Sequence, residues 1–232
     1  MIHPKYAQSP GHFVRAFLLL LKDLQELFDY VEPSDKNLGT YSYRIHALLV
    51  RACVEVESNC KAILRENGFS KQDKKGNDIH WNMGDYKKID KTHYLSAYQV
   101  KVPHWSGEEA TRTPFASWST GNLLPWYEAY NTTKHDRHAE FEEATFKNLI
   151  DACSGLLVLL SAQFGTNDFS PGPTFRVTEG CGEGMESGIG GYFRVKFPHD
   201  WPMETRYDFD WFKLITEPDP FQTIDYATIA LP

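Results

Sequence analysis

The sequence predicts a mainly α-helical bundle that carries a small β-rich extension at its C-terminal end. Three observations predict it. Long stretches within residues 1–165 repeat apolar residues at helical spacing. Pro33, Gly68 and Gly165 fall at the ends of those stretches, where helices stop. From residue 174 onward, short segments alternate apolar with polar residues instead. Hydrophobic residues make up 41% of the 232 and aromatic ones 14%, enough for a sizeable core.

Each element follows from its own pattern. Ser9-Pro10-Gly11 is a helix entry, after which Val14, Phe17, Leu18, Leu21, Leu24, Phe28 and Val31 form one stripe before Pro33. Leu19 and Leu20 lie off that stripe, so this first helix is expected to be covered on more than one side. The second helix spans about Ser42 to Asn67, with Gly68 as its C-terminal cap. Its stripe is Ile45, Leu49, Ala52, Cys53, Val56, Cys60, Ile63 and Leu64. Residues 69–121 form an irregular basic and aromatic insertion. Its lysines at 71, 74, 75, 87, 88 and 91 are largely offset by Asp73, Asp78, Asp85 and Asp90, and Val100, Val102, Trp105, Phe115 and Trp118 suit short extended pieces or a packed loop. Asn122 can cap a short third helix through Tyr130.

The fourth helix is expected to open at Thr133, with Asp136 completing a variant capping box. It would run through Phe146, Leu149, Ile150, Cys153, Leu156, Leu157, Leu160 and Phe164 to Gly165. Thr166 to Pro173 reads as a linker. Strands are expected at Phe175-Arg176-Val177, at 192–197 and at 207–211, placing the extension at 174–232.

Composition excludes several classes. A net charge of −7 argues against a general nucleic-acid coat protein, though not against a local basic site. Cys53, Cys60, Cys153 and Cys181 have no metal-ligand spacing and are expected to be buried reduced thiols, which fits a cytoplasmic location. The apolar run Ala16 to Leu21 is far short of the roughly twenty residues that span a bilayer, so no membrane association is expected. The glycines at 180, 182, 184, 188, 190 and 191 are not followed by a Lys-Ser/Thr pair and suit a loop between two strands. No cofactor motif is present. His135, His138 and Glu142, with His80, His93 and His104, do not form a di-metal helix pattern, and no metal is expected. Trp105, Trp118, Trp126 and Tyr127 can stack bases, but packing against the bundle is their commoner use.

The candidate site lies in Trp126 to His138, which crowds an amide, imidazoles and cations into a few residues. If Thr133 opens the last helix, His135 sits in its first turn, where backbone N–H groups and the dipole favour an anion. The eleven residues from His135 to Phe146 are close to three turns, so His135 would face inward as a proton shuttle, while Arg137 would face solvent. On the second helix Arg44, Arg51, Glu55 and Asn59 share an arc. There Arg51 either pairs with Glu55 or faces His135 to hold a phosphate, with Glu55 orienting the imidazole.

This arrangement resembles the HEPN superfamily, whose mark is Arg, usually a polar residue such as Asn next, and His after four to six intervening residues. Tyr130-Asn131-Thr132-Thr133-Lys134-His135 fits that spacing, with Tyr130 where the Arg stands. The resemblance covers about residues 11–165 and implies a four-helix bundle that binds RNA. It further implies a metal-independent endoribonuclease of a toxin or defence system, acting as a homodimer and paired with an antitoxin or other protein partner. In that mechanism His135 assists attack of the 2′-hydroxyl on the phosphate and Asn131 positions the phosphate or the imidazole. Tyr130 cannot supply the cation, so Lys134, Arg51 or the partner subunit's Arg137 would stabilise the developing charge. The other reading of the same residues is a non-catalytic interaction or assembly module in which the polar cluster ties helices together.

Overall fold

The protein is described by a computed structural model over residues 10–166, 184–200 and 224–231. Its centre is a helix that is apolar nearly all round, which water cannot accommodate on any side. This helix, α6 (Phe146–Phe164), buries every residue from Leu149 to Phe164. Around it pack α1 (Pro10–Phe28), α2 (Tyr43–Glu66) and α5 (Pro125–His135). Two single-turn helices, α3 (Met83–Tyr86) and α4 (Asp90–His93), lie within the insertion.

The ends of α2 obey local chemistry. Ser42 accepts from the Ile45 amide at one end, and at the other Asn67 is followed by Gly68 at φ +70°, so the helix begins and ends where expected. Helix α1 buries Val14, Phe17, Leu20, Leu21, Leu24 and Leu27, whereas Leu19 is exposed. Leu20 therefore joins the core although it lies off the anticipated stripe.

A small antiparallel sheet of four strands closes one side, in the order β2-β1-β4-β3. Strands β1 (Gln99–Lys101) and β2 (Thr111–Arg112) come from the insertion. Strands β3 (Glu186–Ser187) and β4 (Arg194–Lys196) come from the C-terminal region and are joined by a glycine-containing turn in which the Gly188 amide donates to Phe193 O. The register pairs Val100 with Val195 across the centre. Ile189, Phe193 and Val195 enter the same core as the helices, so the described part of the C-terminal region is continuous with the bundle. The strands expected at 175–177 and 207–211, and Cys181, lie outside the described residues.

Two polar clamps hold the irregular insertion. Asp35 accepts from Trp105 Nε1 at 2.6 Å and from the Glu108 and Glu109 amides at 2.7 and 3.1 Å. These donors hold its carboxyl below the ordinary value, the Trp105 hydrogen bond first among them. Buried Arg112 donates through Nε to Asp151 at 2.6 Å and through a terminal nitrogen to Glu109 at 2.8 Å. Trp118, Trp126 and Tyr127 are buried in the core as packing residues, and Trp105 stacks on Phe146. Cys53, Cys60 and Cys153 are buried free thiols, as expected.

The expected fourth helix divides in two. Helix α5 continues to His135, residues 136–145 form a bent connection, and α6 starts at Phe146 behind Thr145, whose hydroxyl accepts from the Asn148 amide. Thr133 is buried inside α5 and its hydroxyl donates back to Ala129 and Tyr130 carbonyls, so it caps nothing. The physical reason is the run from Lys134 to Glu140, which has almost no apolar surface to bury. Its first apolar anchor, Phe141, is drawn away onto Tyr41, Tyr43 and His46. At the start of α5, Leu124 and Pro125 take the place expected of Asn122.

Candidate functional site

Helices α2 and α5 run antiparallel side by side. Tyr127, early in α5, donates to Glu57 Oε1 late in α2 at 2.8 Å. Arg137, just past the end of α5, lies over the ring of Tyr43 at the start of α2. On α2 the residues Tyr43, His46, Val50, Val54, Glu57 and Lys61 recur three or four apart and so share one face. Tyr127, Asn131 and Lys134 do the same on α5.

Where α3 meets this pair, a pocket of about 480 Å³ opens. Glu57 and Lys61 of α2, Tyr127, Asn131 and Lys134 of α5, and the segment from His80 to Gly84 line it. That volume lies within the range of small-ligand sites. Trp81 is half-buried against Phe69, with ring centroids 5.5 Å apart. Asn82 spends its side-chain oxygen on the Gly84 and Asp85 amides, capping α3.

The electrostatics of the pocket centre on two lysines. Lys61 is paired with Glu57 Oε2 at 3.2 Å. Lys134 bonds only to a neutral group: it donates to the Tyr130 hydroxyl at 3.1 Å and sits 5.0 Å from the centroid of the Tyr130 ring, while Glu57 acts on it through space. No carboxylate lies within ion-pairing distance of it among the described residues. The bond to Tyr130 raises the Lys134 pKa, keeping it charged. Tyr130 and Tyr127 are both raised chiefly by burial, so both remain neutral phenols. The Asn131 amide makes no side-chain hydrogen bond among the described residues, so its donor and acceptor capacity remains open to a ligand.

Of the residues the sequence singles out, the structure brings Asn131 and Lys134 into the pocket and places Tyr130 beneath Lys134. The others lie elsewhere. His135 is the last residue of α5 and exposed, so the expected first-turn, inward position does not hold. The end of a helix also carries the negative pole, which removes the anion-binding argument built on a helix start. Arg51 bonds Asp23 of α1, and Arg44 meets Asp23 and Glu26 at 3.4 Å. Arg51 is therefore held by Asp23 rather than by Glu55, and it lies about a quarter turn round α2 from the pocket face. Glu55 is half-buried on the same side as Arg51 and orients no histidine. Buried Asn59 is tied to Glu55 O and Gln163. Arg137 is exposed, as expected.

Glu57, Lys61 and the segment from His80 to Gly84 line the pocket although the sequence does not single them out as site members. The signal that could reveal them is the exposed stripe on α2, distinct from its core stripe. His80 and Trp81 carry no such periodicity. Comparison of the chain with family models, with curated proteins and with solved structures finds no match in any of the three.

Proposed function

We propose that the protein binds RNA through the pocket between α2, α3 and α5. The observation that carries the reading is Lys134: a charged ammonium without a carboxylate partner, beside an open Asn131 amide and the aromatic side chains of Trp81 and Tyr127. A phosphate would meet Lys134, with Lys61 near it. A base would lie against the aromatic wall, and the amide would meet a base edge. On this proposal the chain is a member of the HEPN superfamily.

Metal-independent cleavage is the further step of the same proposal. It needs an imidazole within reach of a 2′-hydroxyl, and two are near. His80 is on the pocket wall, and His135 is one residue beyond Lys134. The test is fluorescence anisotropy of labelled single-stranded RNA with the wild type and with Lys134→Glu, alongside cleavage in EDTA by His80→Ala and His135→Ala. Binding that falls at least tenfold in Lys134→Glu supports the site, and unchanged binding sinks it. Cleavage that survives chelator but disappears in one histidine variant assigns the proton-transfer residue.

A second reading, the non-catalytic interaction module, is favoured by the exposed rings of Tyr41 and Tyr43 beside Phe141. This surface lies at the other end of the α2–α5 pair.

A further inference from the structure

We infer that the aromatic corner at the start of α2 receives a cationic side chain, an arginine above all, from a basic polypeptide partner. Tyr41 and Phe141 meet almost at right angles, 88° with centroids 5.8 Å apart. Tyr43 closes on the same Phe141 ring at 4.7 Å. Tyr43 is 71% exposed and Tyr41 49%, so these rings are open to a partner. The faces of such rings carry the negative part of the quadrupole and attract a cation.

The molecule supplies its own precedent. The Arg137 guanidinium lies 6.0 Å from the Tyr43 centroid, at the outer limit of a cation–π contact. The corner therefore already accommodates a guanidinium on one ring, loosely.

Charge chooses the occupant. Phe141 belongs to the turn Glu140-Phe141-Glu142-Glu143, and none of these three carboxylates makes an ion pair among the described residues. Glu142 and Glu143 are exposed beside the rings. An RNA strand would bring phosphates against them. A second copy related by a two-fold axis would set three carboxylates against three, with Arg137, three residues before the turn, to offset them only in part. A basic segment meets aromatic faces and carboxylates together. Arginine suits this better than lysine, because its planar fork stacks on a ring while pairing with a carboxylate. The inference is independent of what the α2–α3–α5 pocket binds.

The test titrates the full chain into fluorescein-labelled nonapeptides of repeating Arg-Gly-Gly, Lys-Gly-Gly and Glu-Gly-Gly at physiological salt, read by anisotropy. The arginine peptide is expected to bind, the lysine peptide more weakly, and the glutamate peptide not at all. Tyr43→Ala should weaken the arginine peptide by about three- to thirtyfold, the span of a cation–π contact. Glu142→Gln with Glu143→Gln should weaken it as well. The control pair Glu108→Gln and Glu186→Gln, exposed carboxylates elsewhere, should leave it unchanged. Circular dichroism confirms that each variant is folded. The proposal falls if the arginine peptide does not bind, if Tyr43→Ala binds it as the wild type does, or if the control pair weakens it equally. It falls too if sedimentation shows a dimer that Tyr43→Ala dissociates, since the face is then covered by a second copy.

Discussion

His93 is fully buried, with Nδ1 2.7 Å from the Thr92 hydroxyl, and burial pushes its pKa down to about 3. An unfolded histidine titrates near 6.5, so between these values the unfolded chain holds a proton that the folded chain refuses. Stability therefore falls as pH drops below about 6.5, by a few kcal/mol across the window. Urea midpoints measured from neutral pH down to about pH 4 should slope accordingly, and His93→Gln should flatten the slope whatever its effect on the midpoint. Asp35 works at lower pH with the same sign. Its depressed folded value means that its contribution is complete above the ordinary carboxylate range and is lost as pH falls through the folded pKa. Protection of the Glu108 and Glu109 amides against hydrogen exchange, relative to the intrinsic rate at each pH, should fall in acid, and in Asp35→Asn it should be low already at neutral pH. At the residue scale the candidate site was partly legible. Asn131 and Lys134 stand out in the sequence because polar groups cluster there, whereas His80 and Trp81 reach the pocket only through the path of the insertion, which no periodicity encodes.

At the scale of elements, the bounds of α2 were readable, whereas the caps expected at Asn122 and Thr133 were not. Ser42 and Gly68 bracket α2 as their chemistry requires. The division between α5 and α6 was hidden because His135 and Phe146 happen to lie close to three turns apart, which imitates an unbroken helix. Thr145 is the cap that resolves the ambiguity, and Thr145→Ala should cost about 1 kcal/mol, measurable by thermal or urea unfolding. Helices α5 and α6 approach closely at Gly155, where an added Cβ would stand 3.2 Å from the Trp126 ring. Gly155→Val should therefore destabilise by roughly 1–3 kcal/mol through overpacking.

Over the whole molecule, segments remote in sequence are fastened to one core. Residues 224–231 dock through Tyr226, which is fully buried, with its hydroxyl 3.0 Å from Thr92 Oγ1 and its carbonyl accepting from Lys88 at 2.8 Å. The Ile224 amide adds a bond to Asn67 at 2.9 Å. Tyr226→Phe should cost about 1 kcal/mol and Tyr226→Ala about 3–5 kcal/mol, read as shifts in the unfolding midpoint. A fragment ending at 165 should lose its cooperative melt, because Val100 would lie uncovered without Val195. The mainly helical class was legible because α1, α2 and α6 bury continuous stripes. The joining of the C-terminal strands to the insertion was not, since pairing partners leave no local trace in strands of two or three residues.

The place of β1 between β2 and β4 also imposes an order of events during synthesis. Strand β2 follows β1 almost at once, but β4 emerges about 90 residues later, on the order of 5–20 s at typical elongation rates. Throughout that interval one edge of β1 offers unpaired amides and carbonyls beside an apolar surface. A nascent chain in this state is a template for pairing with its neighbours on the same message, so its yield depends on how quickly residues 102–196 are made.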